Sequence, residues 1–265
     1  MPTTYAHDLF GKRVYRKLSA KLQHLIRSNG NLYRIGQHGP DILFYYFISK
    51  NPVTRYGVQM HGRKAREFFE KGMAKVREEK NPALMAYLLG FGCHYILDST
   101  CHPYVNQVAA EGKVSHTLFE KEFDRMLMYE TGKDPLRFYP SHGIRASFLS
   151  AWTIHQVLPA IRTWNIYLSL KMMKIFTCIL VCDDGGRKRR LSEHALSPAG
   201  KKRSAFITDF FMSPEPEIDC KEELLKLDSL MEEALAKAPD MLEELAALAV
   251  RPGHLSDRWD LTFNG

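Results

Sequence analysis

Apolar residues recur at intervals of three and four along most of the chain, the spacing of helices that bury one face. "GKRVYRKLSAKLQHLIRS" carries this pattern and stops at "NGN", a C-cap signal. "GRKAREFFEKGMAKVREEK" is a second amphipathic helix, with Asn81-Pro82 as a fresh start. "PALMAYLLGFGCHYILDSTCH" is apolar nearly all round and predicts a central buried helix. Pro103 disfavours helical backbone at His102, so that helix is expected to end there. "SHTLFEKEFDRMLMYETG" places Ser115 as N-cap and Gly132 beyond the C-terminus. The stretch from Ile144 to Val181 reads as two helices, or one broken at Pro159. "CKEELLKLDSLMEEALAKAPDMLEELAALAV" reads as two acidic helices separated near Pro239. Sustained alternation with period two is missing, so the predicted class is all-α: a multi-helix bundle with a cleft between helices.

Composition adds little to this: 45% hydrophobic and 25% charged over 265 residues is ordinary for a globular chain. Without repeats or a long Ser/Gly/Pro linker, one domain over residues 1–265 is expected. Charge is more telling. Of the net +7, most lies between Arg187 and Arg203, where seven cations face only Glu193. A basic loop at about residues 183–205 on an otherwise near-neutral protein is the expectation. The most apolar run, "NIYLSLKMMKIFTCILVC", contains Lys171 and Lys174 and is short for a membrane span. Five cysteines without a CxxC pair read as reduced thiols. With no signal-like N-terminal run, the expectation is a cytoplasmic, monomeric protein.

The chemistry gathers in "FGCHYILDSTCHPYVNQ", where His94, Asp98 and His102 follow at intervals of four. On a helix, four residues correspond to about 40° of rotation and about 6 Å of rise. His94 and Asp98 can therefore share an ion, whereas His102 lies about 12 Å further along than His94. Metal–ligand bonds of about 2 Å then assign the two histidines to different ions, or leave one as a bystander. His116 and Glu120 form a second pair four apart on the next helix. The alternative for either pair is a buried polar pair or a surface ion pair. Asp98, however, stands in one of the most apolar helices, where an ionised carboxylate needs partners.

"YLLGFGCHYILDSTCHP" followed by "SHTLFEKEFD" resembles the core signature of the zinc-dependent phospholipase C family: His-x3-Asp, a further His, then His-x3-Glu. "TTYAHDLFG", "IGQHGPDILFY" and "YGVQMHGRK" resemble upstream ligand segments, pointing to His7, Asp41 and His61. The resemblance implies an all-α fold with two or three zinc ions in a cleft. It assigns Asp41, His61, His94 and Asp98 to one ion, and His102, His116 and Glu120 to a second. His7 would serve a third, bridged by Asp98. The chain departs from the family's best-known members in two ways. No signal-like run precedes His7, so their signal-cleaved N-terminal ligand is not expected here, and three rather than five residues separate Asp98 from His102.

By the same resemblance the reaction is phosphodiester hydrolysis on the glycerol side of a phospholipid, with Asp41 as ligand and general base. Single-strand nucleases share the zinc arrangement, so a nuclease or other phosphoesterase is the alternative, with nucleic acid as substrate. A non-catalytic zinc- or lipid-binding descendant is the third. The basic segment suits an anionic membrane surface as well as a polyanion. His24, His38, His142, His155, His194 and His254 are read as structural or surface residues, with His38 close enough to Asp41 to support it. "DRWDLTFNG" carries no assignable chemistry.

Overall fold

The structure, a computed structural model, describes residues 4–47, 51–181, 187–196 and 209–265. Among them are eleven α-helices, short 3-10 turns and no strand, the all-α class expected. The helices are α1 (Thr4–Lys17), α2 (Ala20–Ser28), α3 (Gly30–Gly36), α4 (Pro52–His61), α5 (Arg66–Glu79) and α6 (Pro82–Ala110). They continue with α7 (His116–Glu130), α8 (Phe148–His155), α9 (Thr163–Val181), α10 (Arg187–Leu196) and α11 (Lys221–Ala247). A 3-10 helix, Gly39–Tyr45, links α3 towards α4.

Helix α6 is the axis. Every residue from Leu84 to Ser99 is buried, as its all-round apolarity predicts, and α1, α3, α5, α7, α8 and α11 pack around it. The closest approach is to α3. A Cβ on Gly36 would lie 2.2 Å from the Tyr87 carbonyl oxygen, and one on Gly90 would lie 2.1 Å from that of Tyr33. Two bare backbones therefore touch, which brings the 3-10 helix that follows α3 against the middle of α6.

Several boundaries differ from the sequence expectation. The first amphipathic run is two helices, because Ser19 leaves helical geometry and its side chain accepts from the Leu22 N–H, capping α2. Helix α6 passes through Pro103 to Ala110, and α11 passes through Pro239 to Ala247. An interior proline costs about 3 kcal/mol. Beyond each one, however, the continuing helix buries apolar side chains, each burial contributing about 1.5–3 kcal/mol. These are Val105 and Val108 on α6, and Met241, Leu242 and Leu245 on α11. Around Pro159 the chain forms two helices, one of the alternatives expected. Part of the expected basic loop is helical: α10 spans Arg187–Leu196, a run of helix-favouring residues without Gly or Pro. The cations at residues 201–203 lie outside the described residues. Ser115 caps α7 by accepting from the Leu118 N–H, and Gly132 adopts φ +69° beyond its end, both as predicted.

Helix α7 is buried on two sides. One side turns Glu120 and Asp124 towards α1 and α6. Another carries a buried ion cluster, in which Glu122 meets Arg125 at 2.7 Å and Lys121 at 3.4 Å. Lys121 also reaches Glu217 at 2.8 Å, tying the segment before α11 to α7. No described helix is long and apolar enough to cross a membrane, and the described cysteines Cys93, Cys101, Cys178 and Cys220 are free.

The α3–α6 contact has a direct test. Gly90→Ala forces a methyl onto a carbonyl oxygen and is expected to destabilise by roughly 2–3 kcal/mol in urea unfolding. Gly30→Ala, whose Cβ meets nothing within 4 Å, is expected to be neutral or mildly stabilising.

Candidate metal centre

All eight sequence-selected residues come together where α1, the 3-10 helix, α4, α6 and α7 meet. His7 stands on α1, whose first turn is held by Asp124: that carboxylate accepts from the backbone N–H of Tyr5 (3.0 Å) and Ala6 (2.8 Å). Asp41 lies in the first turn of the 3-10 helix. That turn begins at Gly39, with φ +47°, and a Cβ there would sit 2.2 Å from the His94 ring. Only glycine accommodates both the left-handed backbone and the ring lying on it. His61 ends α4; His94, Asp98 and His102 share α6; His116 and Glu120 share α7.

Asp98 is the hub. Its Oδ1 lies 3.2 Å from His7 Nε2. Its Oδ2 lies 3.1 Å from His94 Nε2, 3.6 Å from His102 Nδ1 and 3.9 Å from His61 Nε2. Asp41 Oδ1 is 3.0 Å from His61 Nε2. On the other side, Glu120 Oε1 is 3.4 Å from His102 Nε2 and 3.3 Å from His116 Nε2. Three sets of ligand atoms lie within 4.8 Å of one another: His7/Asp41/His94, His61/His94/Asp98 and His102/His116/Glu120. His94 and His102 fall in different sets, in line with the helical-rise argument. His7 is grouped with Asp41 and His94, its ring 4.4 Å from that of His94. A cavity of about 20 Å³ opens among His7, Asp98, His102 and Glu120, room for a particle the size of a water or an ion.

The hydrogen bonds around the cluster fit cations. His61 Nδ1 donates to the Gly57 carbonyl at 2.9 Å, and His102 Nδ1 to the Phe263 carbonyl at 2.9 Å. His116 Nδ1 donates to Asn106 Oδ1 at 3.1 Å. A carbonyl oxygen only accepts, so Nδ1 of each ring carries a proton and Nε2 is turned towards a carboxylate. Two acceptors face one another unless a proton or a metal lies between. Such bonding of the outer ring nitrogen is what orients histidine ligands at metal sites. Deeper in, Asp41 Oδ1, Asp98 Oδ2, His7 Nδ1 and both ring nitrogens of His94 are buried without a hydrogen bond. Clustered buried polar atoms of this kind are costly unless something satisfies them, and this donor set, imidazole and carboxylate, is the one zinc takes.

Charge tells the same story. Burial raises the Asp98 carboxyl, yet His102, His94 and His7 hold it well below the usual carboxylate range. Burial also raises that of Asp41, yet it lies below the ordinary carboxylate range, with the charges of His94 and His61 among the causes. His38 lies close by; burial, with His7 and His94 beside it, lowers it to about 3, so it stays neutral. Cys93 bonds the Tyr33 hydroxyl at 3.2 Å, and burial pushes its thiol up to about 12, away from ligand chemistry. Sequence reading missed Gly57, Asn106, Asp124 and Phe263, which bear no motif and act through a backbone carbonyl, a nearby side-chain amide or contacts across long separations.

Without an ion, His102 is pushed up to about 9: burial lowers it, but Asp98 and Glu120 prevail. A raised histidine contributes stability fully below its unfolded value of 6.5, and that contribution disappears as pH rises through the folded value. Chelator-treated protein is therefore expected to lose melting temperature between pH 6.5 and 9. Zinc-loaded protein melts higher and loses less over this range, and Asp98→Ala abolishes the difference; calorimetry with metal analysis checks both.

Residues 6–173 match the family described as zinc dependent phospholipase C. No curated protein and no solved structure gives a significant match. The matched span covers more than half of the chain and holds all eight clustered residues, and its helices have the all-α class of that family. The chain belongs to the zinc-dependent phospholipase C family.

Proposed function

We propose that this protein hydrolyses a phosphodiester in a zinc-dependent reaction, releasing diacylglycerol and a phosphorylated headgroup from a phospholipid. One observation carries the reading: histidine Nε2 atoms from separate helices turn inward onto the shared carboxylates Asp98 and Glu120, in a chain of a zinc-dependent family. The eight residues His7, Asp41, His61, His94, Asp98, His102, His116 and Glu120 are the proposed ligands. What zinc supplies in such a setting is Lewis acidity towards a phosphoryl oxygen and towards water.

The protein's own residues do the remainder. Asp41 stays ionised, with Oδ1 3.0 Å from His61 Nε2, and is the group proposed to take the proton of an attacking water. The water oxygen bonds to phosphorus, the bond to the glycerol oxygen breaks, and that oxygen leaves with a proton. Phe44 stacks on His61 with centroids 5.3 Å apart, shielding the ring and holding it in register with Asp41. His116, 36% exposed, marks the edge of the cluster open to solvent. Helix α10 presents exposed Arg187 and Arg190 beside exposed Leu191, a composition suited to the surface of an anionic membrane. Helix α11 packs on α1, α5, α6 and α7, which favours one functional unit extending past the matched span.

A nuclease reading shares the zinc chemistry, and the same cations on α10 would meet a polyanion. Activity on phosphatidylcholine and on single-stranded DNA separates the two. The expected outcome is lipid turnover that falls about 10²–10⁴-fold in Asp41→Asn, with zinc content retained. Turnover of DNA alone favours the nuclease, and bound zinc with neither activity makes the protein a non-catalytic descendant.

A further inference from the structure

The segment from Ser256 to Gly265, which bears no chemical motif, lies against the metal cluster. It is anchored along its length. Trp259 is fully buried, stacked on Tyr95 with centroids 5.2 Å apart, and its Nε1 donates to Glu244 Oε2 at 3.3 Å. The Tyr95 hydroxyl donates to the Arg258 carbonyl at 2.8 Å. Arg66 holds Asp257 and Asp260 at 2.7 and 2.9 Å. The Ala65 N–H donates to the Leu261 carbonyl at 3.2 Å, and the Phe263 N–H to the His61 carbonyl at 3.2 Å. Helices α4, α5, α6 and α11 thus all hold the strap, and its last turn is delivered to one place.

There Phe263 makes two kinds of contact. Its ring, 2% exposed, lies 5.5 Å from the His61 ring and 5.7 Å from the His94 ring, forming an apolar wall on the first ligand sets. Its carbonyl accepts the Nδ1 proton of His102 at 2.9 Å. We infer that Phe263 is a positioning residue of the metal centre, whose backbone carbonyl selects the His102 tautomer that presents Nε2 to the His116/Glu120 site. The inference rests on the metal reading proposed above.

Competition explains why the strap is needed. His102 Nδ1 is also 3.6 Å from Asp98 Oδ2, one turn earlier on the same helix. If the carbonyl is withdrawn, the Nδ1 proton finds its acceptor at Asp98. The ring then turns towards the hub, taking Nε2 out of line with Glu120. The peptide oxygen is neutral and fixed by the strap, so it satisfies Nδ1 without drawing the ring away. His61 and His116 have equivalent partners, supplied locally by Gly57 and by Asn106. His102 alone of these three depends on a segment about 160 residues further along the chain.

The test uses the full-length, zinc-loaded protein labelled with ¹⁵N-histidine, together with two variants. Long-range ¹H–¹⁵N correlation is expected to show His102 protonated at Nδ1 with Nε2 shifted by metal. Phe263→Pro removes both the N–H to His61 and the aromatic ring, freeing the strap. The zinc of the His116/Glu120 site is expected to weaken by about 10–100-fold in competition with a chromophoric chelator, more than any other ion. Phe263→Leu keeps the N–H, the carbonyl and apolar bulk, and is expected to restore the affinity and the His102 signature. Unchanged affinity for every ion in a folded Phe263→Pro protein overturns the inference and leaves the metal reading standing. A His102 proton on Nε2 in the wild type does the same, even where the proline variant fails to fold. Wild-type protein that takes up no zinc overturns both.

Discussion

A carboxylate buried at the centre of an apolar helix is the constraint on which the rest of this molecule depends. Asp98 is 3% exposed and sits among residues that offer it no backbone donor. An isolated charge in that position would cost many kcal/mol, so it must be surrounded by cationic groups or metal. Four histidines approach it, from α1, α4 and two turns of α6. Each helix that contributes one must be held in place by some other contact. Much of the fold can be understood as the means of doing so.

Those means are mostly backbone contacts. The bare surfaces of Gly36 and Gly90 let α3 rest on α6, and Gly39 then lets the chain pass beneath the His94 ring and present Asp41. Asp124 holds the first turn of α1 and so places His7 beside Asp98. The carbonyls of Gly57 and Phe263 face ring nitrogens of His61 and His102. The clustered donors are thus side chains, while much of what aims them is main chain. Main-chain groups carry no sequence signature, and this is why the supporting groups escape a search for motifs.

The same distinction separates the accurate and inaccurate parts of the secondary-structure reading. Ser115 and Gly132 bound α7 as expected, because a cap is a local transaction between a side chain and the nearest turn. Pro103 and Pro239 were expected to end helices and instead lie inside them. Local propensity gives proline its penalty, but only the packing beyond it determines whether that penalty is overcome. Continuity through Pro103 matters to the site, since it keeps His102 on the same helix as Asp98, four residues on and within 3.6 Å.

The sequence by itself determined the helical class, the burial of α6, the identity of the eight clustered residues and the separation of His94 from His102. The class, the burial and the separation follow from periodicity, composition or the fixed rise of a helix, quantities that a linear chain carries with it, whereas His7, Asp41 and His61 were marked only by the family resemblance of their segments. Tertiary structure alone decided that the His7 ring lies against that of His94 and that a motif-free strap closes over His61, His94 and His102. Those facts depend on contacts between residues more than eighty positions apart, made by rings and carbonyl oxygens that every chain possesses. Nothing in their identity marks them; only their placement does.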